Sequence, residues 1–264
     1  MAITTQDGLI AALATATPQS YYKASIANMV AGQLCSLFRA TGIPLQGSTP
    51  GAWATCDLTT VGGFSYTNPT NPTLTYLGGL SFSPANAGTA VLFDRLAAMG
   101  GLSGTSTSAQ TVNGSIPANR GAASNGSNVE WYLEWYTDTG STAVTATITY
   151  TNQSDVSGRT TTVSVAATTR AGRMMLIVPA AGDYIKSIQS VTLSASTLTA
   201  GSFGVTVVRR LAEIPCSNVS VFPVLDAINL GLPMVYDSSC LFLAVLCSTT
   251  STGVAQGKVV LPQG

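Results

Sequence analysis

The sequence predicts a mainly β protein, an antiparallel β-sandwich or jelly-roll-like domain behind an N-terminal helical and extended arm. Three observations carry this. Short stretches of apolar/polar alternation recur from about residue 74 onward, separated by Gly, Asn and Ser turns. The 264 residues include 36 Thr, a β-branched residue that suits a pleated strand and solvates its outer face without charge. No strand–helix–strand rhythm occurs, which removes doubly wound and barrel α/β architectures.

Taken in order, Thr5–Thr15 reads as a short helix ahead of Pro18. A longer helix is predicted over Tyr22–Phe38, where Tyr22, Ile26, Met29, Val30, Leu34, Leu37 and Phe38 fall on one helical face. Ser20 would cap it, and Gly42 with Pro44 would end it. Residues 45–73 lose all period, and Pro50, Pro69 and Pro72 hold them extended. The predicted division is therefore 1–73, helix and Pro-rich arm, and 74–264, β-sandwich.

Within the second segment, Leu74–Phe82 and Ala90–Leu96 are expected to form the first strand pair, and 100–128 a long exposed loop. Glu130–Tyr136 alternates, with Trp131, Leu133 and Trp135 inward and Glu130, Tyr132, Glu134 and Tyr136 on a solvated face. Ala143–Tyr150 and Thr160–Ala167 alternate in turn. Met174–Val178 is apolar throughout and is expected to be covered on both faces. Ile188–Ala195, Phe203–Val208, Cys240–Cys247 and Val254–Leu261 complete the strands, with an irregular or helical stretch near Pro223–Leu230.

Composition speaks against most chemistry. There is no histidine, so a Ser-His-Asp or Cys-His arrangement is impossible. Glu130 and Glu134 lie four strand residues apart, ~13 Å, too far for a glycosidase pair. Gly253–Lys258 is one residue short of a phosphate loop, and Val259 stands where a magnesium-holding hydroxyl belongs. The Asn113, Asn125, Asn152 and Asn218 glycosylation sequons read as chance matches in a Ser-rich chain. Five widely spaced cysteines without a C-x-x-C suggest free, buried thiols and no zinc. No catalytic residue, cofactor or metal is expected.

Eleven basic and eleven acidic residues give no net field to draw nucleic acid. The longest strong apolar run, Leu241–Leu246, is too short to cross a membrane, and MAITTQDGLIAALA lacks the features of a secretory signal. Strand faces rich in hydroxyls but poor in Lys and Glu lack the usual guard against edge-to-edge pairing, which points to an assembled life. The predicted partner-contacting residues are the apolar face from Tyr22 to Phe38 (Tyr22, Ile26, Met29, Val30, Leu34, Leu37 and Phe38), with Tyr132 and Tyr136. On that reading, removing residues 1–44 weakens association more than it unfolds the β domain.

Four stretches carry a resemblance: MAITTQDG (1–8), YTNQSDVSGR (150–159), GDYIKSIQSVTLSA (182–195) and GKVVLPQG (257–264). Through them the chain resembles tailed-bacteriophage virion structural proteins, most of all capsid decoration or cement proteins. The resemblance implies a non-enzymatic particle component, made in the host bacterial cytoplasm and resident in the virion. It would bind the major capsid protein as a homo-oligomer, a trimer or dimer. The alternatives are a tail, collar or fibre protein and, further off, a carbohydrate-binding module.

Overall fold

A computed structural model describes residues 3–118, 120–198, 201–219 and 221–264; Met1 and Ala2 of the opening stretch and Ser220 of the Asn218 sequon lie outside them. The fold is mainly β, and its strand ladders are antiparallel. The N-terminal part holds α1 (Gln6–Thr15), β1 (Gln19–Lys23), β2 (Leu34–Ser36), β3 (Gly42–Ile43), β4 (Ala54–Thr55) and β5 (Thr75–Tyr76). Then come β6 (Gly79–Pro84), β7 (Gly88–Ser103), β8 (Gln110–Ser115), β9 (Glu130–Trp135), β10 (Val144–Asn152) and β11 (Arg159–Val165). The chain continues through β12 (Arg173–Leu176), β13 (Ile185–Leu193), β14 (Ser202–Cys216) and β15 (Val224–Asp226). It closes with α2 (Ala227–Leu230), β16 (Met234–Val235), β17 (Leu241–Cys247) and β18 (Ala255–Val260).

Two compact units form, unit 1 from residues 1–47, 57–94 and 210–264 and unit 2 from 48–56 and 95–209. Their boundaries fall inside β7 and β14, so residues on both sides of the predicted 73/74 division share unit 1. In unit 1 a five-stranded sheet has the order β15-β6-β18-β1-β3. A second layer sets β17 between β2 and the Gly88–Asp94 part of β7. Tyr21, Leu80, Phe82 and Val259 from the first layer and Cys35, Leu92, Leu243 and Val245 from the second form one core. Unit 2 repeats this logic. Its four-stranded sheet runs β11-β10-β13-β8, and β9 lies between β12 and the Phe203–Val208 part of β14. Val144, Ala146, Ile148 and Tyr150 are buried while the intervening threonines are half-buried, the predicted period of two. Trp135 stacks on Phe203 at 4.6 Å between centroids.

Several expectations are corrected. The helix over Tyr22–Phe38 does not form. Its start is β1, hydrogen-bonded between β18 and β3, and its end is β2. Asn28 (φ 60°) and Gly32 (φ 82°) take left-handed conformations that interrupt a helix between them. Helical spacing is a weak prior, and sheet partners supplied by the C-terminal strands override it. By contrast, α1 forms as predicted, with Thr5 Oγ1 accepting from the Gly8 N–H at 3.1 Å. Leu74–Phe82 does not pair with Ala90–Leu96, because β6 joins β18 and β15 while β7 joins β17. Part of the predicted 100–128 loop is strand, the end of β7 and all of β8. In Met174–Val178 the side chains of Leu176 and Val178 are exposed, so the face they share with the buried Met174 is only partly covered.

The Pro-rich stretch is not a loose arm either. Phe64 joins the unit 1 core, Cys56 is buried, and Trp53 stacks on Trp131 at 5.7 Å. All five cysteines are buried thiols.

Candidate interaction surfaces

Most of the predicted contact residues belong to the core. Met29, Leu37 and Phe38 are buried, Leu34 is half-buried, and Ile26 packs against the unit 1 core. Tyr22 and Val30 alone of that set are exposed. Tyr132 and Tyr136 are also buried, so the second face of β9 is covered as well as the first.

An ion-pair cluster explains that second face. Arg95 Nη2 lies 2.7 Å from Glu134 Oε2, and neither side chain is more than 1% exposed. The same carboxylate oxygen accepts from Thr206 Oγ1 at 2.7 Å and from the Tyr136 hydroxyl at 3.3 Å. Arg120 Nη2 donates to Leu96 O at 2.7 Å, beside Arg95. Burial pushes the Tyr136 hydroxyl far above its ordinary pKa. Enclosed by side chains of its own chain, Glu134 serves as a structural ion pair joining β7, β9 and β14 within unit 2. Glu130 Oε2 instead accepts from the Tyr132 hydroxyl at 2.5 Å. The two glutamates thus have separate structural partners.

Exposed apolar side chains gather at both edges of the five-stranded sheet. At one edge, beside β15, α1 and α2 border a groove of ≈ 890 Å³ lined by Leu9, Ile10, Leu13, Val224 and Ile228. Ile228 is 84% exposed, and Val221 and Phe222 lie exposed just before β15. The other edge is β3, where Ile43, Leu45 and Val61 are exposed and border a groove of ≈ 430 Å³. Tyr22 stands directly across the strand pair from Ile43. Pro223 and Pro44, which have no N–H to offer, flank the two edge strands. These edges are therefore suited to side-chain packing rather than to an extended backbone ladder. In unit 2, Leu176, Val178 and Tyr184 expose a smaller apolar patch around a groove of ≈ 150 Å³.

Beneath the β3 edge lies Lys23, 3% exposed. Its Nζ donates to the carbonyls of Pro44 (2.7 Å), Ala40 (3.2 Å) and Leu45 (3.4 Å), with no carboxylate among its partners. Burial without a counter-charge lowers its pKa from 10.5 to about 8. Between those values the folded chain holds fewer protons than the unfolded one, so stability rises with pH. Cys247 shifts the other way, pushed by burial from 9.0 to about 11. Burial raises Cys56, Tyr21 and Tyr136 in the same sense. For these groups the unfolded chain ionises first, and stability falls above about 9. Urea midpoints are thus expected to rise modestly from pH 8 to about 9 and then to fall. A steady fall from pH 8 would contradict the Lys23 assignment, as would an unchanged rise in Lys23→Met.

No protein-family model matches the chain, and no curated protein does. Solved structures that align with it include the infectious bursal disease virus VP2 subviral particle, at 11% identity over 94% of this chain and 80% of that one, TM-score 0.19. The structure of the Gx strain of the same virus aligns at 11% identity over 94% and 80%, TM-score 0.20. At such TM-scores the likeness carries no argument about this chain.

Proposed function

We propose that this protein is a non-enzymatic structural component of a bacteriophage particle, bound to the capsid shell as a decoration or cement protein. The observation that carries the reading is the character of the exposed surface. A chain with only 8% charged residues displays apolar grooves at both edges of one sheet and a further apolar patch in unit 2. Contiguous exposed apolar surface of this kind marks a contact site. The four stretches that resemble tailed-phage structural proteins support the same reading and favour the major capsid protein as partner. A mainly β fold of layered antiparallel sheets is compatible with that role.

The test is protein identification in purified particles followed by imaging. The chain is expected in the particle at a copy number matching a shell symmetry, with its density on the outer surface of the head. Absence from particles would overturn the proposal, and density confined to the tail would replace the shell with a tail partner.

A further inference from the structure

The two edges of the unit 1 sheet complement each other. The β15 edge combines a groove between α1 and α2 with one charge among its described lining residues, Asp226. That carboxylate caps α2 through Oδ1, which accepts from the Asn229 N–H at 2.9 Å and from Asn229 Nδ2 at 3.0 Å; Oδ2 is unengaged. The β3 edge presents the opposite case. Its exposed side chains Ile43, Leu45 and Val61 border the groove, and the loop that carries Pro44 and Leu45 holds the Lys23 ammonium through backbone carbonyls alone. A buried cation without a counter-ion leaves a positive potential at the surface above it. One edge is thus apolar beside a buried ammonium, with the Asp57 carboxylate turned to Thr59 and Thr60 of its own turn, and the other is apolar with an open carboxylate oxygen. Because they are opposite ends of a single sheet, each copy carries both halves of one contact.

We propose that copies of this chain assemble head to tail, the β3 edge of one packing Ile43, Leu45 and Val61 against the groove beside β15 of the next. The contact is heterologous, so it closes into a ring of three or more copies or runs on as a filament, and it does not yield a face-to-face dimer. Pro44 and Pro223 keep it to side-chain packing and limit runaway strand pairing. Asp226 approaches the field of Lys23 without touching it, which fixes the direction of docking more than its strength. The contact is a property of the isolated chain. Its failure would leave shell binding standing, and the reverse also holds.

Two one-sided variants test it, Leu45→Asp at the β3 edge and Ile228→Asp at the β15 edge, both at highly exposed positions. Sedimentation equilibrium should show an oligomer of three or more copies for the wild type and a monomer for each variant. An equimolar mixture of the variants should give a one-to-one complex, since each retains the edge the other lacks. Far-ultraviolet circular dichroism checks folding, and Ile43→Asp or Val224→Asp replaces a variant that misfolds. A monomeric wild type, a variant that still forms the full oligomer, or a mixture that stays monomeric would each overturn the proposal. Asp226→Asn keeps the helix cap, because Asn caps as well as Asp. It is expected to weaken assembly about two- to fivefold at low salt, the range of exposed charge contacts. No weakening would overturn the electrostatic half of the proposal.

Discussion

Replacing Glu134 by Ala is expected to destabilise the protein by about 3–5 kcal/mol, because it strands a buried guanidinium. Arg95 has no exposure to water and would lose its carboxylate partner at 2.7 Å, while Thr206 and Tyr136 would lose their common acceptor. Thr206→Val should cost less, about 1–3 kcal/mol, since it removes two hydrogen bonds, one to Glu134 and one from Arg95, and leaves the ion pair. Glu130→Gln, in a half-buried position, should cost under about 1 kcal/mol. The double variant Arg95→Met with Glu134→Leu should recover much of the loss, because apolar residues of similar volume tolerate the site that a single charge does not. Urea denaturation reads all four. A Glu134→Ala chain as stable as Glu130→Gln would contradict the buried ion pair.

Deleting residues 1–44 is expected to unfold unit 1, not to release an arm from an intact domain. The deletion removes both β1 and β3, and so cuts the five-stranded sheet to the three strands β15-β6-β18 and strips β18 of its β1 partner. It also removes β2 and the buried side chains of Tyr21, Met29, Cys35 and Leu37. Leu→Ala changes at fully buried sites alone cost about 2–5 kcal/mol, and several such losses exceed the whole stability of an ordinary domain. The truncated chain should therefore lose near-ultraviolet dichroism and any cooperative melting of unit 1. A truncated chain that melts like the intact one would restore the separate arm expected from sequence.

These two cases mark where the sequence is legible. The alternation in β10, with Val144, Ala146, Ile148 and Tyr150 inward, is visible because one face meets apolar neighbours and the other does not. The α1 helix is visible for a local reason, its Thr5 cap. What escapes is pairing between distant residues. The apolar spacing from Tyr22 to Phe38 fits a helix on paper, and only the partner strand Ala255–Val260 makes its first residues a strand. The face of β9 that carries Tyr132, Glu134 and Tyr136 reads as solvated because a carboxylate occupies it. Nothing nearby in sequence announces that Arg95, thirty-nine positions earlier, neutralises it. Of the contact residues expected from sequence, Tyr22 lies beside an exposed edge, opposite Ile43. Of the remaining edge residues, Leu45 and Val61 sit outside the strands, and Val224 and Ile228 sit in elements of three and four residues, too short to show a period. The signal that could have found them is the concentration of Val, Ile, Leu and Phe within turn-rich stretches, such as 219–228, that form no continuous strand.

If this chain holds to a capsid shell through uncharged apolar surface, as proposed, co-sedimentation with shells across a salt series shows it most directly. Long-range attraction between charges is largely screened as salt rises from about 0.1 M to about 1 M, whereas apolar contact is not. The intact chain is expected to sediment with shells equally across that range and to be released by Leu176→Asp or Val178→Asp in the exposed patch of unit 2. Release of the wild-type chain by salt alone, with both variants still bound, would contradict the claim.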